Sequence, residues 1–179
     1  MMKRLTLAAT LATSLALTAC VTGDEAEEQG ATGEDIEVTT PAEEDEERFE
    51  VDEVDPKVTD ETTGERVEDP AMDLSYKWQG TEYSPNGSVV VVAVTNESDA
   101  PMPADTLSVK LRYNDGNSMQ DARFNPDAEA AGIDMVGVDH PLGPGATTNA
   151  KYPFDVSTGN LWDAEFTIGN VTFKGNLNN

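Results

Sequence analysis

The chain has 179 residues, with 35 Asp or Glu against 11 Lys or Arg, a net charge of −24, one cysteine and one histidine. Such a balance argues against nucleic acid as a partner, because an acidic chain without a basic patch repels phosphates. A single cysteine excludes an intrachain disulfide and a cysteine-built zinc site, a single histidine excludes a multi-histidine metal centre, and no cofactor is expected.

In chain order, the first feature is Lys3 and Arg4 followed by Leu5 to Leu17, 13 residues without a charge. A helix needs roughly 20 apolar residues to cross a hydrocarbon core, so this run is too short to span and has the length of a secretory signal's apolar region. Small residues Thr18 and Ala19 follow, then Cys20. From the residues alone, a plain secretion signal with a chance cysteine, or a buried thiol in an uncleaved chain, would also fit. The stretch Leu17-Thr18-Ala19-Cys20 resembles the lipobox of bacterial lipoproteins. That resemblance implies cleavage of residues 1–19 as a signal peptide, a diacylglyceryl group on the Cys20 sulfur and an acylated new amino terminus. It places the protein on the cell membrane, lipid-anchored and facing outside the cytoplasm. Each buried methylene contributes about 0.8 kcal/mol and one acyl chain holds only marginally, so two or three chains on Cys20 would give a stable anchor. Val21 is not the aspartate that retains many Gram-negative lipoproteins at the inner membrane, and both envelope types stay open.

Residues 20–71 form the next unit. Val21 to Ala71 holds 21 acidic side chains against Arg48, Lys57 and Arg66, a net charge of −18. Ile36, Val38, Phe49, Val51 and Val54 are isolated apolar residues among runs such as Glu43-Glu44-Asp45-Glu46-Glu47. Too little apolar surface is available to offset ordering entropy, so the expectation is a disordered acidic linker. A flexible chain of this length reaches about 40 Å, and more when like charges repel. An anionic membrane surface would repel it too, making it a spacer.

Residues 72–179 read as one compact domain, large enough to bury a core. Met72, Leu74, Tyr76 and Trp78 alternate with polar residues, and Val89 to Val94 is a run fit for a strand buried on both faces. Leu107, Val109, Leu111 and Tyr113 alternate again into Asn114-Asp115-Gly116, a hairpin-turn signal. Ala150, Tyr152 and Phe154 mark a strand that Pro153 assigns to an edge or a bulge. Trp162, Ala164, Phe166 and Ile168 share one face, and Gly169-Asn170 turns the chain into Val171 and Phe173. The fold class expected is all-β, an immunoglobulin-like β-sandwich of about seven strands, with a small barrel as the alternative.

Two segments carry a further resemblance. Val89-Val90-Val91-Val92-Ala93-Val94-Thr95-Asn96-Glu97-Ser98 is similar to the strand-then-Asn segment of telokin-like bacterial domains. Leu142-Gly143-Pro144-Gly145-Ala146-Thr147 with Tyr152-Pro153-Phe154-Asp155-Val156 resembles their Pro-Gly, strand, Phe-x-Val segment. The resemblance implies an immunoglobulin-like sandwich of the kind common on surface lipoproteins of Gram-positive bacteria. Such domains are grouped structurally with a secreted mycobacterial immunoprotective antigen. It brings no catalytic residues.

Chemistry-bearing residues are sparse. His140 in Asp139-His140-Pro141 would have to serve any Ser-His-Asp triad, yet no serine sits in a Gly-x-Ser-x-Gly elbow. Calcium needs 6 to 8 oxygens, and Asp115, Asn117, Asp121, Asp127, Glu129, Asp134 and Asp139 lack the EF-hand order. Asn86-Gly87-Ser88, Asn96-Glu97-Ser98 and Asn170-Val171-Thr172 match the glycosylation sequon and read as turns in a bacterial lipoprotein. Asn114 to Gly145 is the longest stretch without a strand pattern. There, Asn125 is expected to cap a short helix with Pro126 first and Gly132 at its end, and Ile133 to Val136 to form a short strand. Arg123, Phe124 and His140 are the candidate partner contacts, since rigid sandwiches commonly bind through loops. Packing of Met119, Phe124 and Met135 into the core is the alternative. The expected role is a surface-displayed interaction module for a protein, peptide or envelope component. The alternatives are an envelope enzyme using a carboxylate pair on glycans, or a passive spacer or surface antigen.

Overall fold

The computed structural model describes residues 48–179. Cys20, the signal peptide and the linker as far as Glu47 lie outside the described residues. Nine strands are present among those residues: β1 Lys57–Thr59, β2 Arg66–Glu68, β3 Leu74–Ser84, β4 Gly87–Asn96, β5 Val109–Asn114, β6 Met119–Asp121, β7 Thr147–Phe154, β8 Ala164–Ile168 and β9 Val171–Gly175. One four-residue helix, α1 Ala128–Ala131, joins them. Two sheets result, one ordered β1-β9-β8-β5-β6 and the other β2-β3-β4-β7, a sandwich-like all-β architecture.

The alternating residues of β3 explain the packing. Leu74, Tyr76 and Trp78 are buried while Lys77 is exposed, as a period of two requires when one face meets the core. On β4, Val90, Val92 and Val94 join the main apolar cluster, and Val89, Val91 and Ala93 are buried as well. This central strand therefore tolerates an uninterrupted β-branched run. From the other sheet come Leu111, Phe166, Ile168, Val171 and Phe173, all fully buried. The Trp78 ring lies 6.1 Å from Phe166 and 5.5 Å from Phe173, and its Nε1 donates to Asn179 Oδ1 at 3.0 Å. Burying each such side chain is worth roughly 1.5–3 kcal/mol, so the core is self-sufficient without a disulfide.

Pro153 lies on β7, at the edge of its sheet. Its carbonyl points outward and accepts the Asn125 N–H at 2.9 Å. The proline nitrogen faces the same way, so its missing N–H breaks no ladder bond with β4.

Several expectations need correction. The ordered domain begins before Met72. β1 pairs in parallel with β9, β2 pairs with β3, and Val67, Asp69 and Ala71 are buried. Phe49 is half-buried against the core. Scattered apolar residues cannot build a core of their own, yet they dock onto sheet edges that the rest of the chain supplies. Trp162 does not share the buried face of Ala164, Phe166 and Ile168: it precedes β8 and is half exposed, while Leu161 takes the interior position. The cap of α1 is Asp127, whose Oδ1 accepts the Ala130 N–H at 3.0 Å, not Asn125. Asn125 instead accepts the Asp127 N–H, and Gly132 closes the helix as anticipated. Residues 133–136 form no strand; only Gly137 makes an isolated bridge, to Lys151.

Candidate functional site

Where β6 ends, the chain crosses from one sheet to the edge of the other. Phe124 forms an antiparallel bridge with Phe154 on the outer side of β7, and the Arg123 carbonyl accepts the Asp155 N–H at 2.9 Å. This crossing puts Arg123 beside Asp155 although 32 positions separate them. Arg123 Nε donates to Asp155 Oδ2 at 2.7 Å, and Nη2 meets the same oxygen. The Arg123 side chain remains 84% exposed, leaving most of its donor fork in solvent. Beside it, the Phe124 ring stands edge-on to Phe154 at 5.6 Å, with 37% of the residue exposed.

These residues wall an open depression of about 570 Å³ together with Asn86, Asn125, Pro126 and Asp155. The β3–β4 turn is tied into it, since Asn86 Nδ2 donates to the Ala130 carbonyl at 2.8 Å. Its walls combine a cationic fork already paired with the Asp155 carboxylate, a partly exposed ring and two amides, a set suited to a peptide-like surface carrying carbonyl oxygens.

His140 is not brought to this group. Gly137 bridges Lys151 and Leu142 bridges Met102, which sets His140 further along the β7 edge. Phe124 sits opposite Phe154, three strand residues or about 10 Å beyond Lys151. His140 Nδ1 lies 2.8 Å from Asp139 Oδ1, with both side chains largely in solvent. No serine hydroxyl is bonded to it, so the triad geometry is missing among the described residues.

Several of the acidic loop carboxylates are already engaged. Asp115 Oδ1 accepts the Asn117 and Ser118 N–H groups, which hold its carboxyl below the usual range, with the Ser118 bond the stronger cause. Asp121 meets Lys110 and Arg112. Among the described residues no group of three or more His, Cys, Asp or Glu side chains is placed to hold a metal. No helix among them is long and apolar enough to cross a membrane. Of the sequons, Asn96 is buried and structural, its Nδ2 donating to the Ala100 and Leu142 carbonyls at 2.8 Å.

Two features escaped sequence reasoning. Asp69 is a buried carboxylate that joins three segments: Oδ1 accepts the Ala71 N–H, and Oδ2 accepts the Tyr76 hydroxyl and the Asn170 N–H. The second is a smaller depression of about 340 Å³ on the other side of Phe124, with Tyr152 on its lining. Alternation had marked Tyr152 as core, and nothing in the sequence says whether its hydroxyl finds a partner.

Comparison of the chain with protein-family models, with curated proteins and with solved structures finds no match in any of the three.

Proposed function

We propose that the protein is a lipoprotein anchored outside the cytoplasm through Cys20, and that its immunoglobulin-like β-sandwich binds a protein, peptide or envelope component. The contact surface in this reading is the Arg123–Phe124 depression. The observation that carries it is the placement of that depression relative to the incoming chain. Arg48 and Glu50 lie beside Asp73 and Asp99, at the end of the domain where β3 begins and β4 finishes. The depression adjoins Asn86, at the opposite end of those strands. Ten residues of β4 span about 30 Å, so the depression and the point where the chain enters at residue 48 lie at opposite ends of the domain. Residues 21–47 carry 12 acidic and no basic side chains, a net charge of −12, which supports a role for that preceding stretch in keeping the domain off an anionic surface.

The test is crosslinking capture from intact cells carrying the anchored protein. Arg123→Ala and Phe124→Ala should each lower capture at least severalfold while the melting temperature stays near wild type, and His140→Ala, set apart from the depression, should not. Equal capture by all three variants would return the face to plain scaffold. Mass spectrometry showing a free Cys20 thiol and an intact signal would remove the anchor.

A further inference from the structure

We propose that the depression between the start of β5, β7 and residues Val136 to Val138 binds a small, uncharged, mainly apolar molecule, whose carbonyl oxygen accepts a hydrogen bond from the Tyr152 hydroxyl. The site shares the Phe124 ring with the surface discussed above but does not depend on it. At about 340 Å³ it falls at the lower end of the range for small-molecule pockets. Leu107, Val109, Phe124, Val136 and Val138 supply its apolar wall, and Asp105 is the one charged side chain on the lining. An anion would meet Asp105 and a strongly acidic protein, so a neutral ligand is favoured.

Tyr152 brings a buried hydroxyl beside the depression. It points inward from β7, with its ring centroid 5.9 Å from that of Phe166. Its hydroxyl has no hydrogen-bond partner, one of only two buried side-chain polar atoms so placed among the described residues. Burial raises its pKa far above neutrality, so the phenol stays protonated and available as a donor. Buried hydroxyls are nearly always paired, and an unpaired one loses its hydration without compensation. A ligand acceptor would restore the missing bond.

Gly137 shapes the rim. It holds φ +68, and a Cβ there would stand 3.3 Å from Tyr152 Cε1, so bare backbone lies against the edge of the ring. Its N–H donates to the Lys151 carbonyl at 2.8 Å, fixing that strip to β7. The hydroxyl is shielded from water in this conformation. Val136 and Val138 are half-buried on the same lining, and a ligand oxygen would reach the hydroxyl only if one of these side chains turned aside.

Cyclohexanone and methylcyclohexane, alike in size and differing in the carbonyl, are the probes. Each is titrated into the full-length protein while the methyl signals of Val109, Val136 and Val138 are followed by NMR. Cyclohexanone should shift those signals and bind about fivefold to tenfold more tightly than methylcyclohexane, the ratio expected of one net hydrogen bond. Tyr152→Phe should bring the two affinities within twofold of each other and leave the melting temperature unchanged or higher. Val138→Phe, which fills the depression from its rim, should abolish binding of both probes. Equal affinities in the wild type, or a carbonyl preference that survives Tyr152→Phe, would overturn the proposal. So would a lower melting temperature for Tyr152→Phe, since the hydroxyl would then already be paired with buried water.

Discussion

Tyr76 and Tyr152 contribute rings to the same core from the same sheet, yet their hydroxyls meet opposite fates. At the end of the domain where residues 69–74 meet the β8–β9 turn, Tyr76 donates to Asp69 at 2.8 Å. The same carboxylate also gathers the Ala71 and Asn170 N–H groups. Burial, then the charge of Asp69, pushes the Tyr76 pKa far up, so it remains a donor. On the β4–β7 side, Tyr152 on β7 and Ser88 on β4, which pairs with Phe154, carry the unpaired oxygens. Matched polar atoms mark a joint that holds the fold together. Unmatched ones mark a place where the fold gains nothing from its polarity, and where a ligand or a substitution can act without loss.

The largest effect should come from breaking the joint. Asp69→Ala would leave the Tyr76 hydroxyl and the Ala71 N–H buried, and the Asn170 N–H part-buried, without an acceptor. Each buried group costs about 1–3 kcal/mol, and the losses are not fully additive. A loss of about 3–5 kcal/mol in the urea unfolding free energy is expected, with the denaturant slope unchanged. Ser88→Ala on the other side of the comparison should be neutral or stabilising. A loss below about 1 kcal/mol for Asp69→Ala would show that the two regions do not differ in the way described.

A smaller effect sharpens the same contrast through the backbone. Gly169 has φ +54, and a Cβ there would stand 2.5 Å from the Tyr76 hydroxyl and 2.6 Å from Asp69 Oδ2. Gly169→Ala therefore combines left-handed strain with a clash against the joint, and about 2–3 kcal/mol should be lost. Gly116, in the β5–β6 turn, has φ +95 but open space where a Cβ would be. Gly116→Ala should cost only about 1 kcal/mol, the backbone term alone. Equal losses at the two positions would mean that the joint yields.

This contrast also separates what the sequence could disclose from what it could not. The period of two in Leu74, Tyr76 and Trp78 is a local signal and needs no partner to be read. So are the β-branched run of β4, the Gly169-Asn170 turn and the choice of edge or bulge that Pro153 imposes. The arm before Met72 is different. Each of β1 and β2 is three residues long, and Lys57 pairs with Val171, 114 positions away. Nothing local distinguishes Val58 or Val67 from the isolated valines of a solvated linker. The candidate site was half visible for the same reason. Arg123 and Phe124 stood out as charge and ring in a loop. Asp155 and Asn86 acquire meaning only once the crossing after β6 brings Arg123 and Phe124 to them, and the Tyr152 hydroxyl only once the packing around it is known. His140 stood out by being unique, a property of composition that carries no information about place.

The smallest effect tests whether pairing on the surface resembles pairing in the interior. Arg66 on β2 meets Glu97, which follows β4, and Ser75 Oγ donates to the same Glu97 oxygen at 2.7 Å. The Ser75 bond first, and Arg66 second, hold the Glu97 carboxyl below its ordinary range. A depressed folded-state pKa means that Glu97 contributes its stabilisation above the unfolded carboxylate value. The contribution fades as pH falls through the lower folded value, within the acid window of roughly pH 5 to 3. Both side chains are about half exposed, so water and salt screen the pair and the contribution should be slight. Glu97→Gln should lower the melting temperature marginally at neutral pH, flatten part of its decline on acidification, and do both less in high salt. Parallel acid limbs for Glu97→Gln and wild type at low salt would mean that Glu97 adds nothing. A Glu97→Gln loss as large as that of Asp69→Ala would mean that the strap formed by β2 is held from outside rather than from the buried carboxylate at its end.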